Sequence, residues 1–434
     1  MAGVNLKAVT IASLAGLLFG FDTAVISGAT DSLRHAFALD DAGLGLAVSV
    51  ALWGTFFGAI FMGRLGDAIG GRDALRIIGV MYILSSLGCA FAPNLTTFVA
   101  FRFVLGLAIG GSSVLAPVYM SEIVPAGRRG QLVGLFQFNI VFGILLAYVS
   151  NFVVAMLISG PDAWRWKLGL AALPALVFVS LLYAIPQSAR WLAAKGRQDE
   201  AIASLTQLGV TDAQKEVADF VAADAKTSAR LSWREHRKPI IFAILLAMFN
   251  QLTGINAILY YLNDIFAAAG FSRLSSDTQA IAVGAANLIA TLIGMTFIDR
   301  IGRKRLLMIG AVGCTLALAG VAVIMATGEG RAYLLWMLLL FIVSFAMSQG
   351  AVIWVYISEI FPTPVRATGQ SLGSATHWIM NAVISALFPI VAAHTKALPF
   401  AVFAACTLIQ LFCVAKIFPE TKGVALEDME KVTS

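Results

Sequence analysis

YMSEIVP at residues 119–125, with Arg129 after it, returns as YISEIFP at 356–362 with Arg366 after it, an offset of 237 residues. Asp67, Ile69, Gly70 and Arg72 return as Asp299, Ile301, Gly302 and Lys304, an offset of 232, and Pro186 with Ser188 returns as Pro419 with Thr421. Three matches in one order describe two copies of a single plan. Each motif follows a long apolar run, and the runs at 8–28, 43–63, 74–92, 95–118, 131–155, 167–186, 239–264, 278–298, 305–326, 332–357, 368–392 and 397–417 are each close to the roughly 20 residues that cross a bilayer core. The expectation is an all-α membrane protein of twelve transmembrane helices in two six-helix halves. Parallel repeats of this kind are a transporter architecture, with the binding site near the midplane between the repeats.

Composition points the same way: 59% of the 434 residues are hydrophobic and 12% charged, against about a quarter charged in soluble domains. The first run follows Lys7, as in a signal peptide, but it contains Asp22 and leads directly into further spans, so it reads as helix one. With both termini inside, 23 of the 30 Lys and Arg residues fall on inner loops and tails, six fall outside (Arg34, Arg165, Lys167, Arg273, Arg331, Lys396), and Arg102 lies within a span. That is a positive-inside bias, so the net charge of +6 does not call for nucleic acid. The expected setting is an inner, cytoplasmic membrane. Cys89, Cys314, Cys406 and Cys413 lie in apolar segments without metal-ligand spacing, and no metal or other cofactor is expected.

The chain divides into a first half, 1–186, a polar linker, 187–238, a second half, 239–417, and a tail, 418–434. The linker mixes both signs of charge around an Ala-rich helical pattern at 198–226. It is either a tether of short amphipathic helices or a latch on the inner faces of the halves.

GFDTAVISG (20–28), GRLGDAIGGR (63–72), RFVLGLAIGG (102–111), PVYMSEIVPAGRRG (117–130), QLTGINAILYY (251–261), DRIGRK (299–304), SEIFPTPVR (358–366) and PETKG (419–423) occur in this order across nearly the whole chain. Together they resemble the sugar porters of the major facilitator superfamily. The resemblance implies that superfamily's fold and a secondary transporter, not an enzyme. Its expected partners are a monosaccharide, a proton and the lipid bilayer, and the expected state is a monomer. Two departures weaken the inner latch of the first half: Gly71 stands where the family usually has a second Arg, and PQSAR at 186–190 where it usually has PESPR.

Charges at the inner helix ends, Asp67 with Arg72, Asp299 with Arg303 or Lys304, and Glu122 or Glu359 with Arg129 or Arg366, suit an inner gate. Exposed pairs contribute only about 0–1 kcal/mol each, so a gate needs a network of them. Asp22 and Arg102 lie inside spans, where an ionisable group costs at least ~2.5 kcal/mol. At ~1.5 Å per residue both are roughly 8–9 Å from the outer surface and can meet. The resemblance makes Asp22 the proton-coupling group and Arg102 its partner; the alternative is a static pair between helices one and four.

A sugar offers hydroxyls that donate and accept, so amides and a flat aromatic face suit it. Gln137, Asn250, Gln251, Asn256, Asn287 and Asn381 lie within spans, with Trp354 and Trp378 as aromatic faces. By resemblance Gln137, Gln251, Asn256, Asn287, Trp354 and Asn381 match sugar-contacting positions; otherwise each amide is an interhelical hydrogen bond. Gln251 and Asn256 share a face only if the helix unwinds near Gly254. Three residues depart from the pattern: Asn250 replaces the first Gln of a pair, Ala351 replaces a Pro that breaks helix ten, and His377 stands where Asn or Gln is usual. His377 is either a sugar contact or a ligand of a backbone carbonyl. Tyr260 and Tyr261 suit an outer gate or an interfacial anchor. A uniporter of the same fold and a non-transporting sugar receptor are the rival functions.

Overall fold

A computed structural model describes residues 6–123, 129–158, 160–210, 212–223, 231–362 and 365–422. Among these, twelve helices are long and apolar enough to span a membrane: Leu6–Gly28, Asp41–Ile69, Gly71–Ala90, Leu95–Glu122, Gly134–Leu157, Ala163–Leu182, Trp233–Tyr260, Arg273–Ile298, Arg303–Thr327, Arg331–Ile360, Thr368–His394 and Leu398–Ile417. No strand occurs among the described residues. A chain in hydrocarbon must satisfy its backbone internally, and helices do so segment by segment.

Three spans are interrupted among the described residues: the sixth between Gly169 and Ala172, the seventh, and the tenth. The seventh runs from Trp233 to Leu252 with a kink at His236, and then Gly254 takes a left-handed φ of 78° before Ile255–Tyr260 and Leu262–Ala268 follow. A residue with a Cβ is strained at that φ, and a Cβ there would also lie 2.2 Å from the Phe403 ring. The tenth span breaks as well. Loss of the usual proline at Ala351 led to the expectation of one break fewer, yet the helix stops at Met347 and restarts at Gln349, with Ser348 at φ −119°, ψ −88°. Ser348 donates its hydroxyl to the Ser344 carbonyl at 2.6 Å, so a side chain, not a proline, accompanies this break.

The chain forms two compact units whose borders do not follow the half-chain repeat. One comprises residues 1–25, 50–150 and 162–227, and the other 26–49, 151–161 and 228–434. Small residues let helices approach closely in the first: a Cβ on Gly20 would sit 1.8 Å from the Ile140 carbonyl oxygen. Three short helices, Ala189–Ala194, Gln198–Gln207 and Ala213–Ala223, occupy the polar segment and bury Leu192, Leu205 and Val217 among themselves. In the second unit residues 26–49 and 151–161, at the ends of spans one, two and five, join the later helices. There Arg34 pairs with Asp41 at 2.8 Å, and Arg273 donates to Ser32.

The helix starts after Gly70 and Gly302 show the internal repeat at the level of single atoms, each copy within its own unit. After Gly302, the carboxylate of Glu420 accepts the backbone N–H groups of Arg303 at 2.9 Å and Lys304 at 3.1 Å, and so caps a helix start from far along the chain. After Gly70, Gln187 does the same work with a neutral amide: it accepts the Arg72 N–H at 3.0 Å and donates to Asp73 at 3.1 Å and to the Ile69 carbonyl at 3.3 Å. Tyr119 and Tyr356 each donate a hydroxyl to the proline just before the capping residue, Pro186 at 2.5 Å and Pro419 at 2.9 Å. Since charged acceptors form the stronger hydrogen bonds, Glu420→Ala is expected to cost about 1–2 kcal/mol and Gln187→Ala less. Melting of the two purified variants in detergent checks this, with the lower midpoint expected for Glu420→Ala.

Candidate functional site

Within the first unit, Asp22 and Arg102 meet as expected. Arg102 Nη1 lies 2.6 Å from Asp22 Oδ1, with the residues 2% and 5% exposed. Asp22 belongs to the helix Leu6–Val25 and Arg102 to Leu95–Glu122, so the pair ties span one to span four. Arg102 Nε is buried without a hydrogen-bond partner, which leaves the cation less than fully satisfied. Tyr82, which shares their surroundings, directs its hydroxyl to the Leu18 carbonyl at 2.9 Å and does not complete the pair. Gln137 lies in the same unit, on the helix Arg129–Leu157, and is partly exposed.

The second unit brings together most of the remaining site candidates. The left-handed turn at Gly254 does what the spacing of Gln251 and Asn256 requires: Asn256 donates its amide to Gln251 Oε1 at 3.0 Å. Gln251 Nε2 in turn donates to Asn250 Oδ1 at 3.0 Å and lies 3.2 Å from both ring nitrogens of His377. A neutral imidazole has a single acceptor nitrogen, so one of the two takes the second amide proton. All three hydrogen-bonding groups of Gln251 are therefore engaged by neighbours. His377 touches two indoles, tilted by 54° against Trp354 at 5.1 Å and edge-on to Trp378 at 5.2 Å by ring centroids. It is thus bound to a side chain and not to a backbone carbonyl by any hydrogen bond seen among the described residues.

One turn further out, Asn381 donates to the Tyr260 hydroxyl at 3.2 Å and accepts from Ser385 at 3.2 Å. Tyr261 donates its hydroxyl to the Ser385 carbonyl at 3.0 Å and stacks on Phe388 at 5.0 Å. Both tyrosines are buried, at 3% and 1% exposed, so they are packing groups here and not interfacial anchors. Asn287 is buried on the helix Arg273–Ile301. The inventory of amides missed Ser385, whose place one turn after Asn381 was the available signal.

The residues expected to form a gate pair differently from the expectation. Arg72 meets its neighbour Asp73 at 3.0 Å, not Asp67, which is exposed and uses its backbone carbonyl to accept from Trp191 at 2.9 Å. Asp73 also takes Arg76 at 2.7 Å. Arg303 pairs with Glu359, by Nη2 at 2.7 Å and Nε at 3.1 Å, and Thr421 adds a hydroxyl to the same carboxylate at 2.6 Å. The repeat explains the asymmetry: Gly71 occupies the position of Arg303, so Glu122 lacks a guanidinium from that site and instead takes a hydrogen bond from Ser188, with Arg190 as the nearby cation. Arg366 is partly buried. The side chains of Arg129 and Asp299 lie outside the described residues. The missed partners, Asp73, Gln187, Glu420 and Thr421, all sit at helix starts or in the Pro186 and Pro419 repeat, and that repeat was the signal for three of them.

The model of the sugar (and other) transporter family matches residues 8–433. The D-xylose-proton symporter of Escherichia coli is 33% identical over 97% of this chain and 94% of its own. The major myo-inositol transporter IolT of Bacillus subtilis is 34% identical over 98% and 93%. An inward-open structure of the xylose transporter XylE from E. coli aligns with a TM-score of 0.87 at 31% identity, covering 98% of this chain and 99% of that one. This chain therefore belongs to the sugar transporter family and has the twelve-helix fold of the major facilitator superfamily.

Proposed function

We propose that this sugar transporter moves a monosaccharide together with a proton by alternating access, as a symporter in a bacterial inner membrane with both termini cytoplasmic. The observation that carries the reading is the Asp22–Arg102 pair: a carboxylate in a span, 5% exposed, with a single short ion pair that a change of packing can break. An intramembrane carboxylate with a separable partner is suited to taking up and releasing a proton. The relatives named as a D-xylose-proton symporter and a myo-inositol transporter support a small polyol or sugar as cargo. The cluster of Asn250, Gln251, Asn256 and His377 supplies donors and acceptors of the right kind, beside the indoles of Trp354 and Trp378. Within the cluster these groups satisfy one another; sugar hydroxyls replace those bonds one for one, so little desolvation is lost. Gln137, Asn287 and Asn381 are the further proposed contacts, and residues 187–238 the linker between the halves.

The test is uptake of labelled xylose and myo-inositol into proteoliposomes under an imposed pH gradient. Accumulation above equilibrium supports the symporter, and equilibration alone leaves a uniporter. His377 can be tested in the same preparation. His377→Gln keeps an acceptor for the Gln251 amide, whereas His377→Phe keeps a ring beside the indoles and leaves that amide unpaired. Sugar affinity is expected to survive the first change within about threefold and to fall roughly tenfold in the second, since an unpaired buried group costs about 1–3 kcal/mol. Equal affinity in both variants would remove His377 from the site.

A further inference from the structure

The second unit holds another carboxyl group of unusual surroundings, at the outer ends of spans one and seven. Asp264 lies on the short helix Leu262–Ala268, which packs against the turn Ile26–Gly28 and the helix Arg273–Ile301. The residue as a whole is partly exposed, but its Oδ2 atom is shut off from solvent and has no hydrogen-bond partner, and desolvation follows the carboxyl group. Asp264 is the last residue of the expected seventh span, so the sequence placed it at the membrane's edge without distinguishing it from a solvated charge.

Among the described residues the groups around it do not supply a cation of its own, and Lys396 gives its ammonium to the Ala268 carbonyl at the far end of the same helix, at 2.9 Å. From the helix Thr30–Ala36 come the Thr30 hydroxyl, Asp31 and Arg34, and Arg34 is already paired with Asp41 at 2.8 Å. From its own segment comes Tyr261, whose hydroxyl donates elsewhere, to the Ser385 carbonyl. From the helix Arg273–Ile301 come Arg273, turned toward Ser32 and Asp31, and Asp277, which is 1% exposed, accepts from Asn263 by one oxygen and leaves the other without a partner. Thr30 lies within hydrogen-bonding reach of Asp264, but it directs its single hydroxyl proton to the Ser27 carbonyl at 3.1 Å. A protonated Asp264 can donate to the oxygen that remains; a carboxylate would set acceptor against acceptor.

We propose that Asp264 is a second proton-binding site of the transporter, filled when the outer ends of spans one and seven are packed together and emptied when they part and water enters. The inference rests on the alternating-access part of the reading above and not on Asp22 as proton carrier. Burial, with a smaller contribution from Asp31, raises the Asp264 carboxyl from 3.8 to about 7, against the opposing pull of Thr30 and Arg34. In the parted state a solvated carboxyl returns toward its ordinary value. Packing therefore takes up a proton between those two values, parting becomes easier as pH rises through that window by at most about tenfold per unit, and the effect levels off above about pH 7.

Hydrogen exchange of the segments 26–36 and 260–268, corrected for the intrinsic pH dependence of exchange, reads this opening in the purified full chain. Measured in an Asp22→Asn background from about pH 5 to 8, the opening constant is expected to rise toward pH 7 and then flatten. Adding Asp264→Asn is expected to hold it near its low-pH level throughout, and Asp264→Glu to restore a pH dependence, which also shows that the site tolerates replacement. A flat profile before Asp264 is changed, or one unaltered by Asp264→Asn, overturns the proposal. Exchange in both segments that ignores saturating xylose or myo-inositol at every pH, while accumulation persists, overturns it by a different route, because the outer ends would then not move with transport.

Discussion

Asp22→Asn is expected to abolish pH-driven accumulation while sugar-for-sugar exchange continues. One proton moving down one pH unit releases ~1.4 kcal/mol, which limits accumulation to about tenfold for each unit of gradient. An amide cannot carry that proton, so the ratio of inside to outside sugar should fall to about 1 whatever the gradient. Exchange needs only a cavity that opens alternately and holds sugar, and Asn keeps an oxygen that can accept from Arg102 Nη1, the atom that meets Asp22 at 2.6 Å. Truncation to Ala is a poorer test, since removing one partner of a buried ion pair costs about 3–5 kcal/mol and exposes the fold itself to loss. Labelled sugar in proteoliposomes, with and without unlabelled sugar inside, measures both activities on one preparation. Undiminished accumulation by Asp22→Asn would end the assignment of Asp22 as proton carrier.

The features legible in the sequence were those set by hydrophobic length and by repetition. Twelve spans followed from twelve apolar runs, with ends that moved by a few residues, because helices continue past the hydrocarbon as capped, polar turns: the second extends to Ile69 and the fourth to Glu122. The meeting of Asp22 with Arg102 was legible because equal depth in a bilayer leaves few alternatives for two buried charges of opposite sign. The unwinding at Gly254 was legible because Gln251 and Asn256 cannot otherwise face one another.

Pairing among the inner charges was not legible, and the reason is geometric. Arg72 has carboxylates available at Asp67 and Asp73, and only the direction in which the chain leaves Gly70 decides between them; the observed turn at φ 89°, ψ 152° starts a new helix that brings Asp73 beside Arg72. Two departures from the usual family residues, Gly71 and Gln187, pointed to a weaker latch in the first half, and the structure gives them a physical form. Glu359 has a guanidinium and a hydroxyl bonded to it, while Glu122 has the Ser188 hydroxyl and the charge of Arg190. The break at Ser348 was not legible, because a proline marks a helix break in a sequence whereas a serine that returns its hydroxyl to the preceding turn has no comparable mark.

Gln251→Ala is the change expected to weaken sugar binding most. The side chain is 2% exposed and holds three partners at once, accepting from Asn256 and donating to Asn250 and His377. Its removal takes away a proposed sugar contact and also leaves those three groups without their partner, so each turns toward another or toward water. A lost hydrogen bond is worth about 0.5–1.5 kcal/mol and a buried group left unpaired about 1–3 kcal/mol, and together these give a loss of roughly tenfold to a hundredfold in affinity. Gln137→Ala provides the comparison. That residue is partly exposed, and water can take its place, so only the first of the two costs applies and the loss should stay near threefold to tenfold. Titration of both purified variants with sugar, followed by the fluorescence of Trp354 and Trp378 beside the cluster, separates the two cases. Equal losses would show that the network around Gln251 does not set affinity, and wild-type affinity in Gln251→Ala would place the sugar away from His377 and its indoles.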